Sequence, residues 1–439
     1  MFIRNFSKLI LAAILLASFG CQKSIFETPT VAPASLRDVP AQRLNFRFET
    51  DVPAPPDAVQ NAQTEERNPA VQADFDQNRQ LELLDKTITS PDKQRVLAVY
   101  HGANDIPSEF RLDMYSPDGK LLRRITYDGM AVHFPDTIVW SPDSKTVAFV
   151  GMIRAGQPGG QPLPTPVPSE NQANTTVNSA TNANTEANAN VNTETPAMPA
   201  APTRQVEQPQ AVLTLGTEQI YICSSEGTDL KLVTQNQRLI YFYFVWSPDS
   251  AMLAALAATP QEWSYLKDQS DLKAEIFVPY GRLRLVEKNG RERLLDDNLT
   301  KVRPVWSPDS AKVAVAIDTQ VRVYDTIGNV PTQAAIQLQN QLLLSSKAYD
   351  EALQRKESGG DANTAPVTVE TNTNQAVSTL PDPSSLVSFS PIIELRWTED
   401  KMLYAQTGYV KQFKNEAESV RSYLRWHRLI FSPQATAMR

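Results

Sequence analysis

Cysteine and histidine are scarce in this chain of 439 residues, and basic residues are not in excess. Two cysteines and three histidines are too few for a disulfide framework or a cysteine-rich metal site. Lys and Arg number 42 against 49 Asp and Glu, whereas nucleic-acid binding needs concentrated positive charge. Apolar residues make up 41% of the chain, enough for a folded core. The composition predicts a globular protein with no nucleic-acid partner.

Motifs of common enzymes are also missing. The chain has no Gly-x-Ser-x-Gly nucleophile elbow, no phosphate-binding glycine loop and no zinc-binding helix motif. Its histidines, His101, His133 and His427, are far apart in sequence, so hydrogen-bonded or exposed side chains are favoured over a metal site. We predict no catalytic residue, no metal ligand and no cofactor.

Residues 1–20 have the pattern of a secretory signal peptide. Arg4 and Lys8 precede the apolar run 9–17, which is too short for a bilayer core that needs roughly 20 residues. Ser18 and Gly20 are small, as a signal peptidase requires, and Cys21 follows directly. An ordinary signal peptide with an incidental cysteine is the alternative interpretation.

With these residues, the N-terminus resembles a bacterial lipoprotein signal. The resemblance implies that Cys21 is acylated, becomes the first mature residue and anchors the protein to a membrane. Gln22 stands where an Asp would retain such a lipoprotein at the inner membrane. The expected location is therefore extracytoplasmic, at the outer membrane facing the periplasm if the cell has two membranes.

A repeated pentapeptide organises the remaining chain. Trp-Ser-Pro-Asp-Ser occurs at 140–144, 246–250 and 306–310, and degenerate copies occur at 89–93 and 397–401. Pro fits the second position of a type I turn, with Ser and Asp as side-chain hydrogen bonders beside it. Each copy joins a strand ending in Trp to an apolar strand. The predicted structural residues are Trp140, Pro142, Asp143, Trp246, Pro248, Asp249, Trp306, Pro308, Asp309 and Trp397.

A second hairpin follows the motif in several units. One contains the turn 287–290, whose Asn-Gly pair tolerates positive φ and is a strong hairpin signal. Two hairpins per unit give four antiparallel strands, the blade of a β-propeller. We therefore predict an all-β fold, a β-propeller of five four-stranded blades, with six blades as the alternative.

The motif and the later segment 220–234 (Ile-Tyr-Ile-Cys-Ser-Ser-Glu-Gly-Thr-Asp-Leu-Lys-Leu-Val-Thr) resemble the TolB-type, WD40-like propeller repeat. The resemblance covers residues 81–435 and implies that the motif residues are structural. Within this range, 155–210 and 357–386 are low-complexity and are expected to be disordered loops. Apolar spacing from Leu338 to Leu353 predicts a helix between them.

Residues 21–80 are predicted to be a tether, because they hold several Pro and acidic residues. One strand candidate, 44–48, lies within this tether. The last unit lacks a fourth strand, so we predict that 44–48 completes it and closes the ring.

Two functions remain open at this point. The first is a non-catalytic, lipid-anchored propeller that binds a protein or an envelope polymer, alone or within an envelope assembly. The alternative is a glycan- or ester-active hydrolase or lyase with its site at the central channel mouth. The recurring Asp143, Asp249 and Asp309 are expected to form turns rather than a metal ring, and residues 425–428 to alternate inward and outward along a strand.

Overall fold

A computed structural model of the chain describes residues 35–58, 67–103, 105–153, 218–236, 238–358 and 380–432. These residues form five antiparallel sheets, a propeller-like arrangement. The predicted signal peptide 1–20, Cys21 and the whole loop 155–210 lie outside the described residues, as do residues 359–379 of the second predicted loop.

Sheets 1 and 2 come first along the chain. Sheet 1 contains β2 (Leu83–Thr89), β3 (Val96–His101), β4 (Arg111–Tyr115) and β5 (Leu121–Arg124). Sheet 2 contains β6 (Met130–Val132), β7 (Val139–Trp140), β8 (Thr146–Ile153), β9 (Gln219–Ser224) and β10 (Lys231–Leu232). Both β6 and β7 pair with β8, because a 3₁₀ turn at Pro135–Thr137 divides the first strand of sheet 2.

Sheets 3 to 5 repeat the same order. Sheet 3 contains β11 (Ile240–Trp246), β12 (Met252–Ala258), β13 (Arg282–Glu287) and β14 (Glu292–Leu294). Sheet 4 contains β15 (Val305–Trp306), β16 (Lys312–Ile317), β17 (Gln320–Asp325) and β18 (Gln333–Gln337). Sheet 5 contains β19 (Ile392–Glu399), β20 (Met402–Lys411), β21 (Val420–Ser432) and β1 (Asn45–Val52).

The apolar cores lie between successive sheets. The second strand is apolar on nearly every residue in sheets 1 to 4, and β3 and β8 are buried along most of their length on both faces. Trp140 packs in the core between sheets 1 and 2, Trp246 in the core between sheets 2 and 3, and Trp306 between sheets 3 and 4. A fourth core joins sheets 4 and 5.

The interval between sheet 5 and sheet 1 is built differently. Within the described ranges, no apolar cluster joins these two sheets. Helix α1 (Pro69–Asn78) covers the open face of sheet 1 instead, with Val71 and Phe75 packed against Tyr100 and Tyr115.

The N-terminal strand lies at the edge of the last sheet. β1 pairs antiparallel with β21, and Phe48 lies opposite Leu429. The sequence predicted this strand at 44–48, and the structure has it at Asn45–Val52. The last sheet thus gains its fourth strand from a segment more than 350 residues away in sequence, since the paired residues Asn45 and Ser432 are 432 minus 45, or 387, positions apart.

The predicted tether needs a correction. Within residues 35–44, Leu36, Val39, Ala41 and Leu44 are buried in the core of sheets 4 and 5. Residues 69–78 form α1 rather than an extended segment. The tether interpretation relied on Pro and acidic residues and overlooked these apolar residues, which bury against a partner that sequence alone does not reveal.

Two further helices lie between strands. α2 (Pro260–Leu272) joins β12 to β13 and was not predicted. Its N-terminus has a capping box, in which Thr259 and Glu262 satisfy each other's backbone N–H groups, and Pro260 occupies the first turn. α3 (Gln339–Glu357) joins β18 to β19 and confirms the helix predicted from apolar spacing. No helix among the described residues is long and apolar enough to span a bilayer.

Candidate functional site

The motif tryptophans connect neighbouring sheets. Trp140 Nε1 donates a hydrogen bond to Ile88 O of sheet 1 at 3.2 Å, and Trp306 Nε1 donates to Val245 O of sheet 3 at 3.1 Å. Trp246 Nε1 lies 3.5 Å from Val139 O of sheet 2. Each acceptor lies two residues before the Ser that opens its own turn, so the three indoles occupy equivalent surroundings.

The motif turns form a second set of contacts. Ser141, Ser247 and Ser307 each donate a hydrogen bond to the carboxylate two residues later, that of Asp143, Asp249 or Asp309, at 2.5 to 2.6 Å. Pro142, Pro248 and Pro308 lie between these Ser and Asp residues. The fifth motif residues, Ser144, Ser250 and Ser310, have φ between 60° and 62° and accept the N–H of Asp92, Asp143 or Asp249 at 3.0 Å from the preceding sheet. These aspartates are engaged in their own turns.

The last motif departs from this pattern. Trp397 Nε1 donates to Asp400 O in its own turn, at 3.2 Å, rather than to sheet 4. Residue 398 is Thr and residue 399 is Glu, so the Ser-Pro pair that aligns the other turns is missing. The second carboxylate oxygen of Asp309 accepts from Ser35 Oγ at 2.9 Å.

The three histidines are far apart: His101 ends β3 of sheet 1, His133 directly follows β6 of sheet 2, and His427 lies in β21 of sheet 5. His101 Nδ1 lies 2.9 Å from Glu109 O in sheet 1, and His133 Nδ1 lies 3.4 Å from Glu218 Oε1 in sheet 2. His427 Nε2 lies 3.0 Å from Thr407 Oγ1 in sheet 5. Among the residues with described positions, no group of three or more His, Cys, Asp or Glu side chains is arranged to hold a metal ion. Burial raises the pKa of the Cys223 thiol to about 12, so this cysteine is a neutral core residue.

A polar cluster surrounds the buried side chain of Arg425. Its guanidinium holds Asp51 through two hydrogen bonds, Nε to Oδ1 at 2.6 Å and Nη2 to Oδ2 at 2.9 Å. Nη1 donates to Ser346 Oγ at 3.0 Å and to Ser388 Oγ at 3.3 Å, and Nη2 also donates to Ser345. The cluster therefore joins β1, β21, α3 and the segment before β19. Arg425 and His427 point inward and Trp426 and Arg428 are half-exposed, the alternation expected for residues 425–428.

His427 makes the stability of this cluster depend on pH. The ring is fully buried, and burial, reinforced by the nearby charge of Arg425, lowers the pKa of His427 from 6.5 to about 4. The unfolded chain binds this proton more readily, so stability is complete above pH 6.5 and decreases as the pH falls toward 4. We expect the free energy of unfolding of the wild type, relative to His427→Gln, to fall by about 3 kcal/mol between pH 6.5 and 4. Urea titrations across this range test the prediction, and parallel curves for the two proteins would contradict it.

A different surface is formed by two insertions that meet. α2 leads into residues 273–281, and the hairpin between β20 and β21 lies beside them. Ile276 N donates to Gln412 O at 2.8 Å, and Lys414 N donates to Ala274 O at 2.9 Å. Lys414 Nζ also contacts Asp271 at 2.8 Å. Sheets 3 and 5 are thus bridged past sheet 4, whose second and third strands are joined by a tight turn at this end.

Exposed apolar side chains gather on these two bridged segments. We call this surface the insertion face. Its members are large and apolar and have at least two fifths of their area in contact with solvent: Tyr265, Leu272, Ile276, Val278, Tyr409, Val420 and Leu424. The backbone hydrogen bonds between the two segments hold these side chains at one end of the molecule, and exposed apolar surface of this kind is typical of interaction sites.

The helix α2, which carries part of the insertion face, is packed firmly against the sheets. Trp263 of α2 is buried against Phe134, Phe242 and Phe277, with ring centroids 4.9 to 5.7 Å apart. Arg282 binds Glu262 at 2.7 Å and ties α2 to β13. Tyr265 and Leu272 are therefore carried by a packed helix. The capping box at 259–262 was the available sequence signal for this helix.

Comparisons with known proteins return distant similarities only. No family model and no curated protein matches the chain. A putative TolB from Agrobacterium tumefaciens is similar at 13% identity, over 56% of this chain and 62% of that chain, with a TM-score of 0.25. Prolyl oligopeptidase B from Galerina marginata is similar at 10% identity, over 87% of this chain and 41% of that chain, with a TM-score of 0.36.

An oligogalacturonate lyase from Vibrio parahaemolyticus is similar at 8% identity, over 79% of this chain and 65% of that chain, with a TM-score of 0.31. The chain spans less than two thirds of each of these three structures. At such low TM-scores these similarities assign neither a fold nor an activity. The propeller-like arrangement rests on the five sheets and the hydrogen bonds between them.

Proposed function

We propose that this protein is a non-catalytic, lipid-anchored, extracytoplasmic propeller of the TolB type that binds a protein through the insertion face. Residues 1–20 act as the signal peptide, and acylated Cys21 anchors the mature chain, at the outer membrane if the cell has two membranes. The five sheets are the blades, and β1 completes the last of them. This architecture displays a rigid surface on a membrane tether.

The observation that carries the proposal is the set of exposed apolar side chains on the insertion face. Leu272 has 81% of its area exposed although it belongs to a packed, capped helix. Burying such side chains contributes about 25 cal/mol per Å² of apolar area removed from water, which favours association. Protein interfaces are apolar at their centre and polar at their rim, and Lys267, Asp271 and Lys414 supply such a rim here.

A protein fits this surface better than an envelope polymer does. Five of the seven side chains are aliphatic, Leu272, Ile276, Val278, Val420 and Leu424, and offer no hydrogen bonds to sugar hydroxyls. The histidines and the motif aspartates lie elsewhere and have hydrogen-bond partners of their own. The proposal is therefore binding rather than catalysis.

A site-specific crosslink tests this function. A photoreactive amino acid replaces Leu272 in the full chain within its native envelope, and a matched protein carries it at Leu81, whose exposure is 80%. We expect a discrete crosslinked protein species from position 272 and none from position 81. Equal crosslinking from both positions, or none from position 272, would contradict protein binding at this face.

A further inference from the structure

The N-terminal segment is fixed to one end of sheet 4. Ser35 Oγ donates to Asp309 in the motif turn at 2.9 Å, and Ala41 N donates to Asp325 Oδ2 at 3.0 Å. Leu36 and Ala41 are completely buried. The chain that leads back to Cys21 therefore departs from the end of the molecule where the motif turns lie.

This end is opposite the insertion face. Successive connections in an antiparallel sheet lie at alternate ends. The motif turns join the first and second strands of each sheet, as 307–311 joins β15 to β16. α2 and the β20–β21 hairpin join second and third strands, so they lie at the other end. The loop 326–332 joins β17 to β18, third to fourth, and returns to the motif end.

A basic cleft lies at this same end of the molecule, between sheets 3 and 4. It has a volume of about 490 Å³ and is bounded by the turn 287–291 of sheet 3 and residues 326–328 of sheet 4. Lys288, Arg291 and Arg293 line it, against the single carboxylate of Glu287. The Arg293 side chain, 10% exposed, lies at its base, where it donates to Thr326 O and Gly328 O while its Nε has no hydrogen-bond partner. The lining carries an excess of positive charge in a protein of net charge -7.

Two apolar side chains project next to this cleft. Ile327 is 62% exposed and Val330 is 78% exposed, both on the loop whose carbonyls Arg293 holds. Apolar side chains beside Lys and Arg are the combination that inserts at a membrane interface, where basic groups meet anionic headgroups.

The length of chain before Ser35 keeps this end close to the anchor. From Cys21 to Ser35 is 35 minus 21, or 14 residues. Fully extended, 14 residues span no more than about 50 Å, so the motif end cannot lie farther than this from Cys21. Tethering at such a distance raises the local concentration of the cleft at the bilayer, so a weak contact is sufficient.

We propose that the motif end, through the basic cleft, Ile327 and Val330, rests on anionic lipid headgroups and directs the insertion face away from the membrane. The inference rests on the proposed lipid anchor at Cys21. It assigns an orientation to the propeller: one end contacts the lipid surface, and the opposite end is presented to the protein partner.

Fluorescence quenching by labelled headgroups tests this orientation. The acylated full chain is placed in vesicles of phosphatidylethanolamine and phosphatidylglycerol that contain a headgroup-attached quencher. A single fluorophore is attached at Val330→Cys or, as control, at Leu272→Cys; Cys223 is buried and the acylated Cys21 has no free thiol. We expect loss of most of the fluorescence at position 330 and little loss at 272. Equal quenching at both positions, or stronger quenching at 272, would overturn the orientation.

Two further arms separate the lipid contact from the anchor. Arg291→Glu is expected to reduce quenching at position 330 on phosphatidylglycerol vesicles and to have no effect on pure phosphatidylcholine vesicles. An unchanged signal on both would overturn the role of anionic headgroups. The Cys21→Ser protein, which cannot be acylated at this position, is expected to remain in the supernatant when phosphatidylcholine vesicles are sedimented. If it sediments with them, the lipid anchor itself is wrong, and the tether argument is wrong with it.

Discussion

Replacement of Arg425 by Met is expected to lower the free energy of unfolding by about 1–3 kcal/mol, because it removes a buried guanidinium from the side chains to which it donates hydrogen bonds, although Asp51, its carboxylate partner, is 37% exposed. The guanidinium satisfies Asp51, Ser346 and Ser388 at 2.6 to 3.3 Å and stacks 4.6 Å above the Tyr349 ring. Met fills much of the volume but donates no hydrogen bond, so Asp51 and the serines lose their common donor.

Urea unfolding at neutral pH measures this loss, with Arg421→Met as the matched control. Arg421 lies on the same strand, β21, and its side chain is exposed. Its replacement is expected to change the free energy of unfolding by no more than about 0.5 kcal/mol. Similar effects from both variants would show that the cluster does not hold α3 and β1 to the propeller.

The Arg425 cluster also shows what sequence reasoning could not supply. Its members, Asp51, Ser345, Ser346, Ser388 and Arg425, come from four separate segments of the chain. Alternation along β21 predicted that Arg425 would point to one face, but no local pattern identified its partners. Only the pairing of β1 with β21 brings residue 51 to residue 425.

The sheets, in contrast, could be predicted because their signals are local. The motif, the apolar second strand and the Gly-containing turn occur within a few tens of residues of one another, and sheets 1 to 4 repeat them, sheet 1 with a degenerate motif. The two helices that were not predicted, α1 and α2, differ in the strength of their sequence signals. α2 had a readable capping box, whereas α1 buries only Val71 and Phe75, too weak a pattern to stand out without sheet 1 beneath it.

The insertion face lies between these two cases. Its exposed side chains are apolar, and from sequence alone apolar residues are expected to be buried. Their exposure is a tertiary property: Trp263 takes the buried position on α2, and Leu272, on the outer side, remains in solvent. A surface of this kind can be located only once the core is known.

Replacement of Trp306 by Ala is expected to cost about 3–5 kcal/mol in the free energy of unfolding, the usual cost of truncating a buried tryptophan. Trp306 lies in the core shared by sheets 3 and 4, where it packs with residues of β12, β13 and β16. Urea unfolding of the wild type and the variant measures the loss. Trp426→Ala, on the half-exposed face of β21, serves as control, with an expected loss of about 1 kcal/mol in the free energy of unfolding.

A subtler pair of variants isolates the hydrogen bond between sheets. Trp306→Phe keeps an aromatic ring but removes the indole donor to Val245 O, a carbonyl that also lies in the β11–β12 ladder opposite Ala254, and this costs about 0.5–1.5 kcal/mol beyond the change in packing. Trp397→Phe removes only a bond within its own turn, to Asp400 O, where solvent can replace the donor. The loss at Trp306 should therefore exceed the loss at Trp397. If Trp397→Phe proves equally or more costly, the indole bonds between sheets do not stabilise the arrangement, and its stability comes from apolar packing alone.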